Sequence, residues 1–86
     1  MPTISEFFGI IIRMYYDEHN PPHFHAYYAE HEAMISIESL TVLKGSLPKR
    51  AKALVVEWAF NHREALIDAW RLASDHQTLN RIDPLE

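Results

Sequence analysis

The chain has 86 residues, a net charge of −4 and no cysteine, which excludes a second core, a general polyanion binder, and any disulfide or thiolate–zinc framework. Its composition, 48% hydrophobic and 23% charged, is ordinary for a globular chain able to bury roughly 60–65% of its unfolded surface. No apolar run approaches the ~20 residues of a membrane span and no signal-peptide pattern opens the chain, so the expectation is one cytoplasmic domain, residues 1–86, without membrane contact.

Pro2 to Glu6 reads as a short turn, with Thr3 and Glu6 spaced as a capping box. Phe7 to Tyr16 reads as a strand, rich in Phe, Ile and Tyr, with Arg13 as its one charge. Phe8, Ile10, Ile12, Met14 and Tyr16 share one face and Phe7, Gly9, Ile11, Arg13 and Tyr15 the other. Both faces are largely apolar, which predicts a central strand covered on both sides. Arg13 reads either as a snorkelling residue paired with an acid or as an anion contact.

Asp17 to Pro22 is a loop, because Pro21 and Pro22 fix φ and remove two donors. His23 to Glu30 reads as a second strand, with His23, His25 and Tyr27 on one face and Phe24, Ala26 and Tyr28 on the other. A tight hairpin at His31-Glu32 leads into a third strand, in which Ala33, Ile35 and Ile37 point inward and Met34, Ser36 and Glu38 outward. Thr41 to Lys44 adds a fourth, short strand before Gly45.

One long helix follows, from Leu47 or Pro48 to Ala73, with Ser46 as N-cap and Pro48 in the first turn. Ala51, Leu54, Val55, Trp58, His62, Ala65, Leu66, Ala69, Trp70 and Ala73 form its apolar stripe. Trp58 and Trp70 read as core anchors and His62, mid-stripe, as a buried core histidine. A narrower stripe, Val56, Phe60 and Ile67, points away from the first; it reads as a contact surface for a partner or a second copy, or as a surface covered by the tail. The tail, Asp75 to Glu86, is expected to fold back as an irregular or edge segment through Ile82-Asp83-Pro84-Leu85, since Pro84 excludes a central strand. The expected fold is α+β: a three- or four-stranded, mostly antiparallel sheet with one long C-terminal helix on one face.

The chemistry concentrates in His19-Asn20-Pro21-Pro22-His23-Phe24-His25-Ala26, which holds three of the six histidines. His23 and His25, two apart on a strand, present two imidazoles on one face, a spacing that suits one divalent transition metal. His19 would be a third ligand, and Glu30, Asp17, Glu18 or His31 would complete the set. The spacing His-x-His-x4-Glu matches half of a cupin metal motif, but the bracketing glycines are absent and 86 residues with a long helix cannot build that barrel. The plainer alternative makes these histidines polar-face residues that shape the turn.

A second chemistry needs no metal. His23 and His25 as base and acid, with Tyr27 and Arg13 beside them, are the groups that cleave RNA. Lys49, Arg50 and Lys52 open the helix with no acid before Glu57, and cations there plus free backbone N–H groups form an anion or nucleic-acid site. With Lys44 they make the one basic cluster of an acidic chain, and a solvated patch is the plainer reading. If Phe24, Ala26 and Tyr28 face the helix, His23 and His25 face away from it and from His62.

Met1-Pro2-Thr3-Ile4, Gly9 through Tyr15, His19 through Ala26, Ile35-Ser36-Ile37-Glu38, Leu47-Pro48-Lys49-Arg50-Ala51, Trp58-Ala59 and His62-Arg63 together resemble the small bacterial family catalogued as domain of unknown function 4160. The resemblance runs over nearly the whole chain and is most specific at Pro21-Pro22-His23-Phe24-His25. It implies a neighbouring small gene of the kind catalogued as domain of unknown function 2442, in a toxin–antitoxin-like pair. This chain would then be the toxin or its partner and would bind a small cognate protein; action on RNA through the histidine-rich turn is the expectation from the residue chemistry above, not from the resemblance. The alternatives are a histidine-based metal-binding domain with a structural or regulatory role, and a non-catalytic interaction module, including a homodimer.

Overall fold

The computed structural model describes residues 2–86; Met1, part of the family-like opening, lies outside them. Among the described residues five strands, β1 (Thr3–Phe7), β2 (Ile10–Arg13), β3 (His23–Tyr28), β4 (His31–Ser36) and β5 (Val42–Gly45), precede two helices, α1 (Lys49–Asn61) and α2 (Arg63–Ser74). The strands form one antiparallel sheet in sequence order, so the fold is α+β.

Two expectations about the N-terminal region are corrected. Residues 3 to 7 are a strand, not a turn, and the long strand expected from Phe7 to Tyr16 is a hairpin. Phe7 pairs with Ile10 across a two-residue turn in which Phe8 (φ 50°) and Gly9 (φ 81°) both take positive φ. That is the backbone of a type I′ turn, whose twist matches the flanking strands. The sequence signal was muted because Phe stands where Asn or Asp is usual. The strand covered on both sides is therefore β3, whose His23, Phe24, His25 and Ala26 are all buried.

The β3–β4 hairpin turns at Ala29-Glu30, two residues before the expected His31-Glu32, with Ala29 at φ 50°. β5 includes Gly45, whose φ of +80° and contact with Glu32 leave no space for a side chain: a Cβ would lie 2.2 Å from the Glu32 carbonyl oxygen.

The single long helix is also corrected. The chain leaves helical geometry at His62 (φ −126°, ψ 25°), Pro48 rather than Ser46 is the N-terminal boundary residue, and no side chain caps α1. A straight helix from Pro48 to Ala73 would run about 39 Å at 1.5 Å per residue, longer than the molecule's greatest extent of 33 Å. With the break at His62, α2 buries Leu66, Ala69, Trp70 and Ala73 in the core. Arg63 secures the break by donating from Nε to the Ile37 carbonyl (3.2 Å) and from NH2 to the Glu38 carbonyl (3.1 Å).

Trp58 is the centre of the core. It is fully buried, with its ring 5.3 Å from Phe7 and 5.8 Å from Phe24. Its indole N–H, costly to bury unpaired, donates to the Asp83 carbonyl at 2.8 Å. The tail thus folds back as expected: Ile82 is buried and its N–H donates to the Ile4 carbonyl at 2.7 Å, alongside β1 without completing a strand. Among the described residues no helix is long and apolar enough to cross a membrane.

Candidate metal centre

β3 enters the sheet at His23 directly from the diproline turn. Strand register places Arg13, His25, Met34 and Lys44 in one row across β2, β3, β4 and β5, with Ile11, Tyr27 and Glu32 in the neighbouring row. Phe24, paired with Ile35, points to the opposite face and reaches Trp58 of α1. His23 and His25 therefore face away from α1, as the period of two requires. They are nonetheless buried, at 4% and 8% exposure. The loop from Met14 to Pro22 folds back over them, bringing the Tyr15 ring edge-on to His25 at 4.8 Å. α2 reaches His23 from the other side, through Trp70 at 5.1 Å.

The loop's contribution is Glu18. Its Oε1 lies 2.5 Å from His25 Nε2 and 3.3 Å from His23 Nε2. Glu18, His23 and His25 each present one ligand atom, all within 4.8 Å of one another. The Nδ1 of His23 lies 2.8 Å from the Pro21 carbonyl oxygen. A carbonyl only accepts, so Nδ1 carries a proton and Nε2 is the nitrogen turned toward Glu18. That Nε2 is buried without a hydrogen-bond partner, and so is His25 Nδ1. Burial favours a proton on the Glu18 carboxyl, but the hydrogen bond from His25 and the proximity of the His25 and His23 imidazoles outweigh it and hold the pKa below the ordinary carboxylate value.

Tyr27 and Arg13 adjoin the centre without entering it. The Tyr27 hydroxyl bonds to that of Tyr15 at 2.5 Å, and the Arg13 guanidinium lies over the Tyr27 ring at 5.2 Å while its Nε donates to Thr3 Oγ1 at 3.3 Å. Burial, then the hydrogen bond and charge of Tyr15, and after them Glu32, push the Tyr27 hydroxyl's pKa up. His19 is exposed and outside the converging trio. Asp17 pairs instead with His76 at 2.7 Å, and Glu30 lies 3.8 Å from His31. An open groove of about 570 Å³ runs over the centre, lined by Tyr15, Tyr16, Asp17, Glu18, His25, Tyr27 and Glu32.

Lys49, Arg50 and Lys52 are exposed at the start of α1, whose first turn holds no acid. Val56 and Ile67 are half-buried against the core on different helices, while Phe60 is left 67% exposed, with the Arg63 guanidinium 5.8 Å from its ring. His62 is half-buried, not at the core centre, and its ring lies 5.7 Å from Trp58.

Residue reasoning left Glu18 as one of four donors and overlooked Glu32, Tyr15 and Trp70 as neighbours of the histidines. Glu32 alone carried a signal, since pairing the two strands through a two-residue turn after Tyr28 sets it opposite Tyr27. A family model described as Domain of unknown function (DUF4160) matches residues 9–71. No curated protein and no solved structure matches.

Proposed function

The chain belongs to the family described as Domain of unknown function (DUF4160), and from that premise we propose that it is a metal-binding domain holding one divalent transition ion between Glu18, His23 and His25. The observation that carries this reading is the buried, unpartnered His23 Nε2 pointing at Glu18 Oε1. A buried nitrogen left unpaired costs about 1–3 kcal/mol, and a cation between it and the carboxylate removes that cost. The distances fit. Two ligand atoms at about 2.0–2.1 Å from a tetrahedral zinc are roughly 3.3 Å apart, and His23 Nε2 lies 3.3 Å from Glu18 Oε1. His25 Nε2, at 2.5 Å, moves away by about 0.8 Å to reach that spacing.

Two imidazoles and one carboxylate suit zinc or ferrous iron and leave coordination positions for water or a substrate. The groove over the centre gives such a molecule a way in. The same geometry favours holding an ion over metal-free RNA cleavage. A general base must reach the proton it takes, and the free His23 and His25 nitrogens are buried within the centre.

The test is metal analysis of protein purified without an affinity tag, followed by zinc and iron(II) titration. One equivalent bound by the wild type, and none by His23→Ala, supports the reading. Absence of binding to the wild type, with no rise in melting temperature, removes it.

A small cognate protein, in a toxin–antitoxin-like pair, is the second reading. It is favoured by Phe60, a large aromatic residue 67% exposed beside Val56 on the outer face of α1. Co-expression with the neighbouring gene product tests it. A complex lost on Phe60→Ser supports it; no complex from the wild type removes it.

A further inference from the structure

We infer that Glu32 is the positioning carboxylate of this centre: it accepts the Nδ1–H of His25 and so holds the ring with Nε2 turned to the metal. The inference rests on the metal reading above and adds a residue outside the ligand set.

A histidine that binds a metal through one nitrogen nearly always donates its other N–H to a carbonyl or carboxylate, which fixes tautomer and ring orientation. His23 already has this arrangement, with Nδ1–H on the Pro21 carbonyl at 2.8 Å. His25 has it only in outline. Its Nε2 is engaged by Glu18 at 2.5 Å, and its Nδ1 is buried with no partner. To ligate through Nε2, the ring must give up the Nε2 proton and remain neutral with its proton on Nδ1. That Nδ1–H then needs an acceptor, and Glu32 Oε2 is 3.7 Å away.

The gap is one the side chain can close. Glu32 stands on β4 opposite Tyr27, two residues before the Met34 that opposes His25. Its side chain is 58% exposed, unlike the His25 side chain at 10%, so the carboxylate is free to rotate toward the ring. A shift of about 0.8 Å brings it to hydrogen-bond distance. The two histidines then have matching environments. Each Nδ1–H is held from outside, by Pro21 or by Glu32, and each Nε2 faces the Glu18 oxygen.

The test is zinc affinity by chelator competition for the wild type, Glu32→Ala and Glu32→Gln, with histidine ¹⁵N NMR on the zinc-loaded wild type. E32A is expected to bind about 10–100-fold more weakly. E32Q, whose amide oxygen still accepts an N–H, should recover part of the loss. The spectrum should show His25 protonated on Nδ1 and metal-bound through Nε2. Affinity of E32A within twofold of the wild type, or a loaded His25 with a bare Nδ1, overturns the inference while leaving the metal centre standing. Failure of the wild type to bind zinc overturns both. The NMR result needs no variant, so it decides the question even if E32A does not fold.

Discussion

His23 Nε2 lies 3.3 Å from Glu18 Oε1 and has no hydrogen-bond partner. The two residues are joined through the diproline turn, so the pairing depends on the loop's return over the sheet. Glu18→Ala should therefore lower metal affinity by at least about 100-fold, because it removes a ligand rather than a support for one. Calorimetric titration with zinc checks this; wild-type affinity in the variant would remove Glu18 from the centre.

Acid should weaken the fold through the same residue. Glu18 has a folded pKa below its reference value of 4.5. A depressed carboxyl contributes stability that is fully present above the unfolded pKa and is lost as pH falls through the folded one. The metal-free protein should thus lose melting temperature below about pH 4.5, and Glu18→Gln should lose less over the same range. Parallel melting curves from pH 7 to 3 measure it.

Glycine positions separate by available space. Gly45→Ala places a methyl 2.2 Å from the Glu32 carbonyl oxygen at φ +80° and should cost at least about 2–3 kcal/mol. Gly9→Ala has the same sign of φ, yet its methyl meets only Tyr28 ring carbons, the nearest at 3.5 Å, so about 1 kcal/mol is expected. Urea denaturation of the two variants should rank them in that order. The Gly45 variant should also disturb metal binding, since the backbone it displaces carries Glu32.

Trp58→Phe should cost about 2–3 kcal/mol, from the space left in the core and the hydrogen bond lost to Asp83. The tail should loosen with it, which hydrogen exchange at Ile82 would report. Phe60→Ser, on the exposed face of α1, should change stability by less than about 0.5 kcal/mol. A large loss of stability there would show that Phe60 belongs to the core.

Much of the fold was legible because alternation and helical spacing survive in the residues themselves. The period of two placed Phe24 and Ala26 on one face of β3 and His23, His25 and Tyr27 on the other, and the register agrees. The stripe containing Ala51, Val55, Trp58, Leu66, Ala69, Trp70 and Ala73 is the buried face of both helices. The Phe8-Gly9 turn went unread and the β3–β4 turn was placed two residues late, because Phe8-Gly9 and Ala29-Glu30 lack the usual Asn or Asp. The helix break at His62 went unread for a different reason. Neither Pro nor Gly marks it, and one straight helix would outrun the molecule's greatest extent of 33 Å.

The sequence by itself determined the α+β class and the two histidines committed to one strand face, because local periodicity needs no knowledge of distant contacts, and its motifs determined the family. Only the tertiary structure decided that Glu18 and not His19 joins them, that Trp70 seals one side, and that Glu32 stands behind His25. Those residues meet through a loop returning over a sheet and a helix broken at His62. Such meetings are set by packing across the whole chain, where residue spacing carries no signal.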